Sequence, residues 1–308
     1  MTSGSVAIRR HYRQDPVFSG TRRYHRRDND LSLPSPAPGG AEVTDQGAEP
    51  YRPDVDTPNA ARMYDYYLGG KDNYPADREA AEKIMALGPS REICVANRRF
   101  LGRAVRLAAE RGIRQFLDLG TGLPTQENVH EVAKRVHPDA RVVYVDYDPI
   151  VLAHARALRS IDDTTAVVPE DIRRPEEILG HPDVRRLIDF SEPVAVLFVA
   201  ILHCLTDEED PWGVVRAFTG PLAPGSHLIV THLTDDAHPE EGAAAREVYR
   251  NATAPLIHRS HAEIARFFTG FELVEPGVTR VNEWRPEDDD DRERPGGEWF
   301  YVGVGRKP

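Results

Sequence analysis

Residues 116–131, with the sequence FLDLGTGLPTQENVHE, decide how the rest of the chain is interpreted. An apolar run ends at Asp118, Gly120 and Gly122 follow, and a helix-like pattern then begins. A strand, a glycine-rich turn and a helix in this order are typical of nucleotide-binding turns. The third glycine of the dinucleotide fingerprint is missing, because Thr125 stands in its place. The turn therefore predicts a nucleotide-like ligand, whose identity depends on the residues around it.

Composition limits the class of protein. The chain has 308 residues, 40% of them hydrophobic, which is enough for a domain-sized core. Its net charge of −11 argues against a nucleic-acid partner. The longest apolar run, 194–202, is too short to cross a bilayer, so no membrane partner is expected. There is no signal-peptide pattern, and the two cysteines lack metal-ligand spacing, so we expect a cytoplasmic location.

Three segments are predicted along the chain. Residues 1–53 lack periodicity and are rich in Arg, Pro and Gly, which predicts a disordered tail. Its arginines could form a basic arm for an anionic partner, although a solvated tail is the simpler interpretation. Residues 54–112 carry three helical patterns and are interpreted as an N-terminal helical cap. Residues 113–308 are predicted to form the ligand-binding domain.

The ligand-binding domain is predicted to have an α/β fold. Strand and helix patterns alternate with short connections, which favours a mostly parallel sheet covered by helices on both faces. The segment VAVLFVAIL is apolar throughout, as a strand buried on both faces requires. Near the end of the chain, strand patterns at 271–281 and 299–304 have no helical pattern between them, which predicts an antiparallel pair.

No metal site is predicted. The acids at 288–291 lie in RPEDDDDRERPGG, which is interpreted as an exposed loop with solvated carboxylates. His227, His232 and His238 lie along a strand and its exit without the spacing of a metal-ligand set.

Three acids follow three successive predicted strands: Asp118, Asp146 and Asp171. Ligands of open parallel sheets bind beyond the carboxyl ends of the strands, so these acids should surround one crevice. Gly120 and Gly122 allow the backbone to turn and approach the ligand. Asp146 could accept hydrogen bonds from both hydroxyls of a ribose, and Asp171 could reach an adenine amino group.

Asp118 distinguishes between the candidate ligands. A carboxylate beside the glycine turn suits a positive charge and repels a pyrophosphate. Thr125 also removes the close helix packing that dinucleotide turns obtain from their third glycine. S-adenosylmethionine, which has an amino-acid tail and no phosphate, therefore fits better than NAD.

Several segments together resemble the class I S-adenosylmethionine-dependent methyltransferases. They are the D-x-G-x-G turn, VVYVDYDP, EDIRRP, VAILHCLTD and LAPGSHLIV. More narrowly, PNAARMYDYYLGGKDNYPADREA and ARVVYVDYDPIVLAHARAL resemble an actinobacterial methyltransferase family first catalogued as a domain of unknown function. The resemblance covers about residues 54–306. It implies a Rossmann-like sheet of seven strands in the order 3-2-1-4-5-7-6, with the seventh strand antiparallel.

The resemblance also implies a cofactor site for S-adenosylmethionine, with S-adenosylhomocysteine as the product. The methionine part would lie along Asp118, Gly120 and Gly122. Asp146 would hold the ribose, and Asp171 with Ile172 would hold the adenine. The adjacent positions predicted to complete these contacts are Thr121, Tyr147 and Ala200.

The segment ARMYDYYLGGKDNY predicts a lid over the cofactor. Aromatic faces attract a sulfonium cation, and Gly69 with Gly70 could serve as a hinge. Tyr67, Gly70 and Asn73 are therefore predicted to contact the cofactor. Alternatively, the tyrosines only pack against the sheet and the two glycines only end a helix.

The predicted chemistry is methyl transfer to a small-molecule acceptor. Alignment of the reacting atoms supplies most of the catalysis, and a general base is needed only if the acceptor must lose a proton. His203 is the candidate base, although it could equally be a hydrogen-bonded histidine at a strand end. The alternative functions are a non-catalytic S-adenosylmethionine-binding or regulatory protein and, less favoured, an NAD-dependent oxidoreductase. The oligomeric state is not predicted.

Overall fold

The computed structural model describes residues 54–123, 127–152 and 163–308. The predicted tail, residues 1–53, lies outside the described residues, as does Thr125 of the glycine turn. Within the described ranges, no helix is both long enough and apolar enough to cross a membrane.

From residue 54 onward, three helices precede the sheet: α1 (Ala60–Tyr67), α2 (Pro75–Met85) and α3 (Ser90–Glu110). Asn59 ends the extended backbone before α1, and its side chain accepts a hydrogen bond from the N–H of Arg62. Pro75 stands at the first position of α2, where its missing N–H costs nothing, and Asp77 completes a capping box there. Side-chain caps and proline therefore set the N-termini of α1 and α2.

The sheet is mostly parallel. Its strands are β1 (Gln115–Leu119), β2 (Arg141–Asp146), β3 (Thr165–Pro169), β4 (Ala195–Val199), β5 (His227–Leu233), β6 (Glu272–Leu273), β7 (Thr279–Arg280) and β8 (Phe300–Arg306). The order is β3-β2-β1-β4-β5-β8-β6, with β7 also paired to β8. Strands β1 to β5 pair in parallel, and β8 is antiparallel to its neighbours. The predicted strand order and antiparallel last strand are thus confirmed. The predicted strand at 271–281 forms two short pieces, because Pro276 and Gly277 (φ +89°) make a turn between them.

Helices cover both faces of the sheet. Those that lie wholly within the described residues after β1 are α4 (Val129–Val136), α5 (Pro175–Gly180), α6 (Pro182–Leu187), α7 (Pro211–Thr219), α8 (Pro239–Tyr249), α9 (His261–Ala265) and α10 (Asp289–Glu293). Residues 149–152 are also helical. Because side chains alternate along a strand, Phe116 belongs to one core with Phe100 of α3, and Leu117 to the other with Phe218 of α7. This arrangement confirms the predicted α/β class.

The acidic segment 288–291 differs from its prediction. Asp288 caps the N-terminus of α10 and the next three acids form its first turn. The Asp291 side chain is only 4% exposed, whereas the prediction was a solvated carboxylate. Its carboxylate accepts a hydrogen bond of 2.8 Å from buried Arg103 and pairs with Arg99. Burial lowers the pKa of Arg103 and the Asp291 charge opposes that shift. The reason for the difference is that α3 supplies two cations that compensate the buried carboxylate.

Asp291→Ala is expected to destabilise the protein by about 3–5 kcal/mol, because it leaves a buried guanidinium without its counter-ion. At roughly 2–4 °C per kcal/mol for a chain of this size, Tm should fall by about 6–20 °C. Differential scanning calorimetry measures the change, and Asp290→Ala is the matched control because that neighbour is exposed. Equal Tm values for the two variants would contradict the role given to Asp291.

Candidate functional site

One cavity lies at the carboxyl ends of β1, β2 and β4. Its volume is about 240 Å³, whereas a single ordered water needs only ~10–15 Å³ by the same measure. The strand ends form one part of its lining, and the rest includes residues of α1, α3, α8 and β8 and of the segment 253–258. The cavity is therefore large enough for an organic ligand and lies where open parallel sheets bind theirs.

The glycine turn after β1 has the conformation that its two glycines allow. Gly120 (φ +73°) and Gly122 (φ +66°) both have left-handed backbones. A Cβ on Gly120 would lie 2.3 Å from Ile201 Cγ1, so a side chain cannot be accommodated there. A Cβ on Gly122 would meet no atom within 4 Å, because it would point into open space. Gly120 thus allows Ile201 to pack against the turn, whereas Gly122 keeps the surface of the turn accessible to a ligand. Thr121, which lies between them, also lines the cavity.

Gly122→Ala is expected to weaken binding of an adenosyl ligand by about tenfold or more, since its methyl group would occupy the ligand's approach to the turn. Gly112→Ala is the matched control, because Gly112 (φ +94°) also has open space around it but does not line the cavity. Both variants should lose similar stability, about 1 kcal/mol, from the strained backbone. Isothermal calorimetry and thermal unfolding separate the two effects. Similar losses of affinity in both variants would contradict the assignment.

Asp146, at the end of β2, is oriented by backbone N–H groups. Its carboxylate accepts hydrogen bonds from Gly122 N–H at 2.8 Å and from Asp148 N–H at 2.9 Å. Burial raises the pKa of Asp146 to about 6, although these hydrogen bonds oppose the shift. The carboxylate lines the cavity, and its remaining lone pairs can accept from ribose hydroxyls.

Asp118, the last acid of β1, lines the same cavity. Burial raises its pKa to about 7, the Asp146 charge adds to the rise, and Arg98 opposes it. A carboxylate that is costly to ionise alone is stabilised by a cation, so the site favours a positively charged ligand group.

The end of β3 contributes Asp171 and Ile172. Arg173 donates hydrogen bonds of 2.9 Å to the Asp171 carboxylate through its backbone N–H and Nε. Burial raises the pKa of Asp171, but these bonds outweigh it and hold the pKa below its usual value. Ile172 is buried in the lining, and Tyr147, which follows Asp146, also lines the cavity and is 48% exposed. Asp171 therefore stays ionised, with its orientation set by Arg173.

Ala200 follows β4 with an unusual backbone. Its φ is +56°, which is strained for a residue with a Cβ, and its N–H donates to Thr231 Oγ1 at 2.8 Å. Ala200 lines the cavity together with its neighbour Ile201. The bond from β5 thus holds the turn after β4 in place beside the glycine turn.

Gly70 and Asn73, unlike Tyr67, do not line the cavity. Their contact with the cofactor stays a prediction. Asn73 Nδ2 donates to the Asp65 carboxylate at 2.9 Å, and a Cβ on Gly70 would lie 1.8 Å from Asp65 Oδ1. The two residues close the loop between α1 and α2 around Asp65, which gives them a structural role.

The N-terminus of α1 is fixed to the end of β2. Asn59 Nδ2 donates to Asp148 Oδ2 at 2.7 Å, and Asn59 N–H donates to Asp77 at 2.8 Å. Asp77 also forms a buried ion pair with Arg62 at 2.8 Å. Since Asn59 and Asp148 both line the cavity, this network holds α1 over the strand ends. The predicted lid movement stays a prediction.

His203 lies in a short 3₁₀ turn, Leu202–Cys204, and lines the cavity. Burial, together with His258 and Arg259, lowers the pKa of His203 to about 3, so the ring is neutral at physiological pH. Arg259 fixes the turn by donating to Leu202 O at 3.1 Å and Leu205 O at 2.9 Å. A neutral imidazole with so low a pKa is a weak general base and a suitable hydrogen-bonding group.

The sequence analysis missed one part of the site. Helix α8 and residues 253–258 line the cavity, contributing Tyr249, Leu256 and His258. The available signal was Pro239 followed by EEGAAAREVY, a proline and acids in the first turn of a helix-favouring stretch. Its alanines give only weak hydrophobic periodicity, which explains why the helix was overlooked.

The strand order, the glycine turn and the acids at the ends of β1, β2 and β3 define a class I methyltransferase. Residues 46–308 match the sequence model of the S-adenosyl methyltransferase family, and the chain belongs to that family. The resemblance seen in the sequence is confirmed, and S-adenosylmethionine is the cofactor. The open space at Gly122 and the carboxylates of Asp118 and Asp146 suit this molecule. NAD as the cofactor is set aside.

Two solved structures are similar over most of the chain. The crystal structure of a candidate methyltransferase from Thermobifida fusca YX shares 50% identity, with a TM-score of 0.77, and covers 82% of this chain and 96% of its own. A DUF574 family protein from Streptomyces avermitilis shares 42% identity, with a TM-score of 0.79, and covers 83% and 99% respectively. No curated protein sequence matches the chain significantly.

Proposed function

We propose that this protein transfers the methyl group of S-adenosylmethionine to a small molecule held in the same cavity. The supporting observation is that one cavity joins the acidic strand ends to apolar side chains of α1, α8 and residues 253–258. A cofactor at the strand ends would share the cavity with the space beside these apolar side chains. The whole cavity has a volume of about 240 Å³, which suits a small acceptor better than a macromolecule.

The reaction is an in-line displacement. A lone pair of the acceptor forms the bond to the methyl carbon while the carbon–sulfur bond breaks, and its electron pair stays on sulfur in S-adenosylhomocysteine. A proton carried by the acceptor atom leaves afterwards to solvent or to a nearby acceptor group. Orientation of the two molecules can supply about 7–11 kcal/mol of the barrier reduction, so the cavity's shape is its main catalytic contribution.

The residues of this chain would bind the cofactor and the acceptor and orient them for the reaction. Asp146 accepts from the ribose, Asp118 faces positive charge, and Asp171 with Ile172 borders the adenine. His203, being neutral, serves as a hydrogen-bond partner in the acceptor space rather than as a strong base. We also propose a cytoplasmic location and no nucleic-acid partner, supported by the free thiols of Cys94 and Cys204 and the net charge of −11.

The test is product formation. The full chain is incubated with S-adenosylmethionine and a library of small neutral acceptors, and S-adenosylhomocysteine and methylated products are measured by mass spectrometry. Turnover that disappears in Asp146→Ala supports the proposal. Tight cofactor binding without turnover of any acceptor would instead favour the non-catalytic regulatory function.

A further inference from the structure

The cavity has a second set of lining residues with different chemistry from the strand ends. We call it the aromatic wall, and it consists of Tyr64, Tyr67, Tyr249, Trp299 and Phe300. These rings come from α1, α8, the turn before β8 and β8 itself. Rings supplied by four elements that are distant in sequence offer flat, polarisable surfaces to a ligand.

Several polar atoms of the cavity residues are buried without a hydrogen-bond partner among the described residues. They are Asn97 Oδ1, His203 Nδ1 and Trp299 Nε1. The Tyr67 hydroxyl is not counted with them, because it interacts with the hydroxyl of Tyr249. Folded proteins pair nearly all buried polar atoms, so a group of unpaired ones around one cavity needs an explanation. A bound molecule with matching donors and acceptors would provide the missing partners.

The charges of the lining restrict that molecule further. Arg173 is hydrogen-bonded to Asp171 and to Glu209 at 2.7 Å, and Arg98 lies near Asp118. Among the described residues that line the cavity, the lysine or arginine residues are Arg98 and Arg173. Because both lie near acids at the strand ends, they belong to the part of the cavity where the cofactor is expected. A carboxylate or phosphate on the acceptor would lose its water without gaining a cation at the aromatic wall.

We propose that the methyl acceptor is an aromatic compound that carries hydroxyl or amino substituents and no negative charge. Its ring lies against the aromatic wall, and its substituents pair with Asn97 Oδ1, His203 Nδ1 and Trp299 Nε1. This inference rests on the proposed function, because it describes the acceptor of that same reaction. It goes further by excluding anionic acceptors.

The first test compares probes that differ only in charge or flatness. The full chain is saturated with S-adenosylhomocysteine, and binding of 2-naphthol, 6-hydroxy-2-naphthoate and the saturated analogue 2-decalol is measured by isothermal calorimetry. We expect 2-naphthol to bind about tenfold more tightly than either of the other two. Equal or tighter binding of the carboxylate, or no binding of 2-naphthol, overturns the inference.

The second test uses matched variants. Tyr249→Leu removes one ring of the aromatic wall, whereas Tyr66→Leu removes a ring from α1 that points to Glu82 and does not line the cavity. Binding of 2-naphthol should weaken about fivefold or more in Tyr249→Leu and stay unchanged in Tyr66→Leu. Unchanged binding in Tyr249→Leu contradicts the inference. Affinity for S-adenosylhomocysteine, measured in parallel, shows that each variant is folded. A wild-type chain that binds no S-adenosylhomocysteine would instead contradict the proposed function.

Discussion

Asp146→Ala is expected to weaken binding of S-adenosylmethionine by about 100-fold or more. A carboxylate that accepts from both ribose hydroxyls makes two charge-assisted hydrogen bonds, each worth roughly 1.5–3 kcal/mol, so their loss costs about 3–6 kcal/mol. The substitution also removes the hydrogen bonds that the N–H groups of Gly122 and Asp148 donate to the Asp146 carboxylate. The cavity would then lose both a ligand contact and the position of the glycine turn.

The control for this prediction lies at the other end of β2. Asp139 is exposed, pairs with Arg114 at 2.6 Å and precedes the strand. Asp139→Ala should bind the cofactor as the unmodified chain does. Isothermal calorimetry with S-adenosylmethionine and S-adenosylhomocysteine measures both variants. If the affinity of a folded Asp146→Ala variant stays within about threefold of the original, Asp146 does not hold the ribose.

Much of the sheet could be predicted because its strands are buried on both faces. β4 is apolar along its whole length, β1 is apolar except for Gln115 and Asp118, and Gly120 marks the end of β1. Asp118, Asp146 and Asp171 could be associated for the same reason: carboxyl ends of neighbouring parallel strands lie at one edge. The parts of the site that lie at strand ends can therefore be predicted from local sequence patterns.

The remaining features depend on partners that are distant in sequence. Burial of Asp291 requires Arg103, which lies 188 positions away, and no local pattern records that pairing. Gly69 and Gly70 look like a hinge in the sequence, whereas the Asp65 carboxylate packs against Gly70 and accepts a hydrogen bond from Asn73, which closes the loop. Helix α8 supplies Tyr249 to the cavity, but its alanine-rich sequence does not indicate which face is buried. Tertiary contacts, rather than propensity, decide these positions.

Affinity for S-adenosylmethionine is expected to fall on the order of 100-fold as the pH decreases from 7 to 5. Burial raises the pKa of Asp118 to about 7 and that of Asp146 to about 6 in the ligand-free protein. The cationic ligand and its ribose hydroxyls both favour the ionised carboxylates, so binding must expel protons below these pKa values. The ligand's own α-amino group, with a pKa of ~7.7–8.0, stays charged over this range.

Asp118→Asn separates the two carboxylates. The variant should bind more weakly at pH 7, lose most of the pH dependence between pH 6 and 7, and keep the dependence that is due to Asp146. Stability should change in the opposite direction from affinity. A carboxyl whose pKa is higher in the folded state than the ordinary ~3.9 binds its proton more readily when folded, so its contribution to stability rises as the pH falls through 7.

Calorimetric titrations and unfolding curves at the same pH values measure both trends. An affinity that does not vary with pH, or a variant that keeps the slope between pH 6 and 7, would show that Asp118 does not face the positive charge of the ligand.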